Sequence, residues 1–189
     1  FASRESLAGI LDNREERLAW IRDPELRTET AWGLTRELIS RDGVDRALPA
    51  ARELIDAGYA SGRYRVWAPR ADAVAKALLA EHQYSPAYGY LKTAVEGYEK
   101  EGMAEPLVRA LQTMSSIDQM LNRNEEANVL LQRAVDAAAH LGTDALPVRS
   151  RLMAAQGRLA RATGRIPESR AYFKKALALC PQPDKTTGD

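Results

Sequence analysis

Apolar and small residues recur along the chain in a frame that fits one face of a helix, and the frame itself repeats. Ala127, Leu131 and Ala134 stand at i, i+4 and i+7. The same frame returns at Ala87, Leu91 and Ala94, at Ala47, Ala51 and Leu54, and at Ser169, Phe173 and Ala176, so its first residues lie 40, 40 and 42 positions apart. On a helix this spacing places the three side chains on one stripe. Twelve residues before each anchor comes a small residue, Thr35, Ala75, Ser115 or Gly157, with apolar neighbours such as Leu34, Leu38, Val74 and Leu78. Five residues before each anchor comes Asp42, His82, Asn122 or Gly164, mostly types that favour turns or helix ends. The pattern predicts helix–turn–helix pairs, with small residues where two backbones must approach closely.

Helix punctuation agrees with this phase. Asp23-Pro24 sets an N-cap before a proline in the first turn, Asp144 precedes Pro147, Pro167 opens the last helix and Pro181 stops it. The predicted helices run over 24–41, 44–58, 69–82, 85–101, 104–122, 125–141, 145–163 and 167–180. They group into repeats over 24–62, 63–102, 103–142 and 143–181. One helix pair buries too little apolar surface to stand alone, whereas stacked pairs share a continuous core. Ahead of Asp23 the pattern weakens, but Ser3 and Asp12 both look like helix starts, the second with capping-box spacing to Glu15. A short irregular N-terminal pair over 1–23, packing on the array, is expected. Residues 182–189 carry nothing apolar to bury and are expected to form a disordered tail.

Composition narrows the function classes. With 45% hydrophobic and 28% charged residues, the 189-residue chain reads as soluble and folded. Its net charge of +1, from 27 Lys plus Arg and 26 Asp plus Glu, gives no overall field to attract nucleic acid or an anionic membrane. Cys180 is the sole cysteine, so no intrachain disulfide forms. No stretch has the length of an apolar membrane span, and the first residues do not form a signal peptide. A chain that begins at Phe1 is expected to be a fragment or a processed product. The compartment stays open, with the cytoplasm favoured over the periplasm.

The last unit resembles the tetratricopeptide repeat (TPR) family. Gly157, Gly164, Phe173, Ala176 and Pro181 fall where that family's signature puts such residues. The three earlier units keep the small and apolar positions with a period of about 40 against the family's usual 34, and look like longer-helix variants. The resemblance covers about 24–181. It implies an all-α, right-handed superhelix of about four helix pairs, whose concave groove is lined by the first helix of each pair and holds a peptide or protein segment. Such extended units resemble those of bacterial signal-responsive regulators, so a larger bacterial regulatory or assembly protein is the expected parent. At the places where the chaperone-tail-binding branch carries its Lys and Asn set, this chain has Trp32 and Arg36, Asp72 and Lys76, Gln112 and Ser116, and Ala154 and Arg158. Chaperone-tail binding is not expected.

The groove would be lined by first-helix residues opposite the anchors. These are Trp32, Arg36 and Ile39; Asp72, Lys76 and Leu79; Arg109, Gln112, Ser116 and Gln119; and Arg151, Arg158 and Arg161. The C-terminal half reads basic. Arginine forks hold carboxylates in bidentate geometry, so an acidic peptide or a C-terminal carboxylate is the sharper expectation. The plainer one is that these arginines pair with acidic neighbours along solvated helix faces. Trp32 is read either as a ligand anchor or as packing against the N-terminal helices near Trp20. Tyr84, Tyr88, Tyr90 and Tyr98 are expected to pack against the next unit.

Catalytic chemistry is hard to find. His82 and His140 are too far apart in the repeat register for a metal site, and Cys180 has no histidine near it in sequence. The pairs Glu15-Glu16 and Glu125-Glu126 sit at helix N-termini, where the helix dipole favours negative charge. No phosphate-binding glycine loop, zinc-type histidine pair or nucleophile elbow is present. The expectation is a non-catalytic protein-interaction module with no metal or cofactor. Two alternatives are an oligomerisation or structural scaffold acting through the solenoid ends, and a helical-repeat RNA binder, which lacks a residue code at equivalent groove positions.

Overall fold

The computed structural model describes residues 17–142 and 145–180, and the chain divides into two compact units, Phe1–Gly102 and Met103–Asp189. The first contains α1 (Pro24–Asp42), α2 (Val44–Ser61), α3 (Tyr64–Ala80) and α4 (Tyr84–Lys100). The second contains α5 (Ala104–Met120), α6 (Asn124–Ala139), α7 (Leu146–Ala162) and α8 (Ile166–Ala178). Most of the expected N-terminal pair, including the starts at Ser3 and Asp12, and all of the expected tail over 182–189 lie outside the described residues.

Local chemistry sets the helix ends. The Asp23 carboxylate accepts from the Glu25 amide at 3.2 Å, and Pro24 opens α1 where no N–H is needed. Within three pairs the left-handed turn residue is the one the pattern marks: His82 (φ 59°), Asn122 (φ 58°) and Gly164 (φ 76°). In the first pair this role passes from Asp42 to Gly43 (φ 88°). Glycine takes that conformation without a Cβ penalty and asparagine is among the side chains that tolerate it.

One predicted boundary is corrected. The third helix was expected to open near Pro69, yet α3 starts at Tyr64 and carries Pro69 inside it, as α2 carries Pro49. The gain that extends α3 backwards is aromatic. Trp67 is fully buried, with its ring centroid 4.6 Å from that of Tyr59 and 5.5 Å from that of Tyr64. Such packing offsets the hydrogen bond a helical proline forgoes.

Each pair closes where the frame brings small residues together. Thr35, Ala75 and Ser115 are fully buried, as are Ala47, Ala87 and Ala127 on the facing helices. Ser115 donates its hydroxyl to the Ala127 carbonyl at 2.9 Å. In the last pair the roles swap, and Ser169 donates to the Gly157 carbonyl at 2.8 Å. A Cβ on Gly157 would stand 3.0 Å from the Phe173 ring, so the smallest residue lies under the largest anchor.

Within the first unit, successive pairs interlock. Val44 and Ala51 of α2 share a core cluster with Val74 and Leu78 of α3 and Ala87 of α4. Gly58 leaves room for Trp67, whose ring would meet an added Cβ at 2.6 Å. Tyr98, also buried, donates to Asp72 at 3.4 Å, while Tyr90 is half-buried against the same cluster.

The second helices α2 and α4 are tied by the Tyr59 hydroxyl, which donates to Glu96 at 2.8 Å. Burial, then the hydrogen bond and charge of Glu96, push the Tyr59 phenol up from 10.0 to about 12. A raised folded-state value means that the protonated phenol contributes stability fully below about pH 10 and loses it as pH rises through about 12. Difference absorbance titration against a Tyr59→Phe variant is expected to show this phenol ionising near 12, and Glu96→Gln is expected to lower the value without returning it to 10.0. A Tyr59 that titrates at its ordinary value would contradict the α2–α4 tie.

Candidate protein-interaction faces

In the first unit, Trp32 projects from α1 half-buried, packed against core clusters from both helix pairs. The Arg36 and Arg70 guanidinium carbons each lie 5.9 Å from the centre of its ring. Arg70 comes from α3 and holds Glu29 through one nitrogen at 2.7 and 2.8 Å. Trp32 thus fills the seam between the first helices α1 and α3, whereas Trp20 is 84% exposed. Arg36 is exposed and has no carboxylate partner among the described residues. Lys76 is held at 2.8 Å by Asp72, the same carboxylate that accepts from Tyr98.

In the second unit the first-helix residues divide in character. Arg109 on α5 pairs with Glu105 at 2.9 Å, the exposed i, i+4 pairing expected of a solvated face. Gln112 is half-buried, Ser116 donates to its carbonyl at 3.0 Å, and Gln119 reaches Ser115 at 3.2 Å. On α7, Arg151, Arg158 and Arg161 are all exposed, and none has an ion pair among the described residues. The segment Leu146–Ala162 contains four arginines and no acidic residue, so local pairing along the helix is impossible. Arg151 and Arg158 are seven residues apart, nearly in line and about 10 Å along the axis.

The fourth arginine of α7 does something else. Arg149 turns onto the end of α6 and donates to the Ala138 carbonyl at 3.0 Å, the Ala139 carbonyl at 3.3 Å and the Leu141 carbonyl. Helix C-termini present unpaired carbonyls and partial negative charge, which a guanidinium satisfies. Arg149 stands eight residues before the small residue Gly157, as Trp67 stands eight before Ala75. Both therefore dock on the preceding second helix. A bulky residue at that register was the available signal for this role.

Cys180 is exposed, with its sulfur 3.2 Å from the Ser150 hydroxyl. Among the described residues no group of three or more His, Cys, Asp or Glu is placed to hold a metal ion, and no helix is long and apolar enough to cross a membrane.

No family model matches the chain, and no curated protein matches it in sequence. Solved structures do match in fold. BtubC (BKLC) from P. vanneervenii is 17% identical with a TM-score of 0.63, over 98% of this chain and 78% of that one. A kinesin light chain protein of Podosopora anserina, with nearly identical TPR-like repeats, is 17% identical with a TM-score of 0.61, over 93% and 87% of the two chains. MamA is 14% identical with a TM-score of 0.59, over 93% and 90%. The chain has the TPR-like helical-repeat fold, in a variant whose first three pairs use helices of 16 to 19 residues.

The contrast between Arg149 and its neighbours is measurable. Arg149→Met is expected to destabilise the protein by about 1.5–3 kcal/mol in urea unfolding, the range for hydrogen bonds to a charged group. Arg151→Met is expected to stay within about 0.5 kcal/mol of the parent, as a surface change with no partner. Equal effects would contradict the distinction.

Proposed function

We propose that this chain is a non-catalytic protein-interaction module that receives an acidic peptide or protein segment on the first-helix face of its second unit, within a larger bacterial regulatory or assembly protein. One observation carries the reading: Arg151, Arg158 and Arg161 stand exposed on a helix with no acidic residue, and none has an ion pair among the described residues. Lys76 and Arg109 already have carboxylate partners. A guanidinium without a partner keeps its fork of donors available for a ligand carboxylate, and a row of them fixes orientation as well as charge.

Gln112, Ser116 and Gln119 on α5 supply neutral hydrogen-bonding groups in the same unit. In the first unit, Trp32 with Arg36 stacked on it offers an apolar and cationic contact of its own. TPR-like folds among the solved structures support a binding role, and the unpaired arginines of α7 support an acidic partner.

Peptides selected from a random displayed library on the whole chain are expected to be enriched in Asp and Glu, and their binding is expected to weaken as salt rises. The variant Arg151→Glu, Arg158→Glu, Arg161→Glu should select no such peptides while keeping the parent's circular dichroism. Selected peptides without acidic enrichment, or unchanged selection by the folded triple variant, would overturn the reading.

A further inference from the structure

The second helices of the first unit, α2 and α4, are tied at two places and parted between them. Gln83, just ahead of α4, donates to Asp45 of α2 at 2.8 Å, and Tyr59 of α2 donates to Glu96 of α4 at 2.8 Å. Between these ties lies a cavity of about 430 Å³, within the usual range of small-ligand sites, about 300–1,000 Å³. Gly89 opens it. Tyr59 and Glu96 are 37 positions apart, and at that same offset Arg52 falls opposite Gly89. The repeat register has Pro49, Val129 and Ala171 at the place of Gly89, and a glycine inside a helix is less stable than an alanine. Nothing lies within 4 Å of a Cβ built there, so packing inside the unit does not require the glycine.

The lining is apolar with one charge of each sign. Leu48 and Tyr90 are half-buried on the cluster that joins α2, α3 and α4, and with Ile55 and Pro86 they form the apolar wall. Arg52 and Asp56 stand one turn apart on α2, exposed, and line the same cavity. Neither has an ion pair or hydrogen bond among the described residues, nor has the Tyr90 hydroxyl a hydrogen bond. Burial pushes the Tyr90 phenol up, while Arg52 draws it down and Asp56 adds to the rise, so both charges act on that hydroxyl. The register sharpens the contrast. The carboxylates at the place of Asp56 are Glu96 in α4, which accepts from Tyr59, and Asp136 in α6, which accepts from Gln132 at 2.9 Å.

We infer that this cavity binds a free α-amino acid with an apolar side chain, its carboxylate on Arg52, its ammonium on Asp56 and its side chain laid over Gly89 beside Tyr90 and Leu48. A guanidinium fork holds a carboxylate, and an ionised aspartate accepts from an ammonium. The Tyr90 hydroxyl is donor and acceptor both and serves either group. Opposite charges one helical turn apart match the adjacent opposite charges of a zwitterion, whereas a simple anion or cation leaves one of the two unmatched. The space over Gly89 takes the apolar side chain. This site lies between second helices, separate from the α7 arginines, and stands independently of them.

Isothermal titration of the whole chain with L-phenylalanine and with L-leucine is expected to show saturable binding of at least one, at millimolar concentration or tighter. N-acetylation, which removes the ammonium, or amidation, which removes the carboxylate, is expected to weaken binding by roughly tenfold or more, the loss of one charge-assisted hydrogen bond. Arg52→Ala and Asp56→Ala are expected to do the same, and Asp56→Ala should no longer distinguish the free amino acid from its N-acetyl form. Gly89→Leu fills the cavity and should abolish binding without lowering the thermal midpoint, since nothing crowds its Cβ. Changing Arg151, Arg158 and Arg161 to Glu should leave binding unaltered, which separates this site from the first-helix face. Absence of saturable binding of both amino acids, or undiminished binding to Gly89→Leu, would overturn the inference. Equal binding of the N-acetyl amide would overturn it too, assigning the cavity to a side chain of a peptide.

Discussion

The closest approach of two backbones in each helix pair is the constraint from which the remaining geometry follows. Residues 115 and 127 and residues 157 and 169 meet across their pairs, 35 with 47 and 75 with 87 hold the same places in the repeat register and are buried, and every side chain at these nodes is small: Thr and Ala, Ala and Ala, Ser and Ala, Gly and Ser. Interiors pack at crystal-like density, so a node tolerates little added volume. The polar atoms that enter the nodes are satisfied, Ser115 across to the Ala127 carbonyl, Ser169 across to the Gly157 carbonyl, and Thr35 at the Ala31 carbonyl of its own helix. Fixing the node fixes the rotation of both helices. That rotation decides which residues are anchors, which dock on the next pair and which face water.

Electrostatics then works on what the rotation leaves outside. Several cations of the first unit meet a carboxylate, some of them from another helix, as Arg70 meets Glu29 and Arg63 meets Glu25. Each such surface pair contributes little to stability. Their significance is that they withdraw those cations from any partner. On α7 the sequence offers no such partner, and the same helix divides its arginines between a structural task at residue 149 and an open row at 151, 158 and 161.

The sequence made the nodes legible because few residue types fit them, and the 40-residue spacing repeated the signal. Turns were legible at His82, Asn122 and Gly164 for the same steric reason, and off by one at Gly43 because Asp42 is also a turn former. The start of α3 was not legible. A proline reads as a first-turn residue, and only the packing of Tyr59, Tyr64 and Trp67 carries the helix back past Pro69. Local pairs such as Arg109 with Glu105 follow from i, i+4 spacing. Arg70 over Trp32 joins residues distant in sequence, beyond the reach of i, i+4 spacing, and the docking of Arg149 on the α6 carbonyls was signalled only by a bulky residue eight positions before Gly157. The role of the remaining arginines was legible only by half, since the helix sequence excludes local partners but not those on neighbouring helices.

Thermal unfolding of Gly157→Leu beside Gly33→Leu tests the node most directly. Both glycines lie inside helices, so the intrinsic gain in helix propensity, about 0.5–1 kcal/mol, is common to the two changes. They differ in surroundings: nothing lies within 4 Å of a Cβ built on Gly33, whereas one on Gly157 meets the Phe173 ring at 3.0 Å. The node account predicts a higher midpoint for Gly33→Leu and a lower one, by several degrees, for Gly157→Leu, with hydrogen exchange quickened in α7 and α8. A rise of the midpoint in both variants would contradict it.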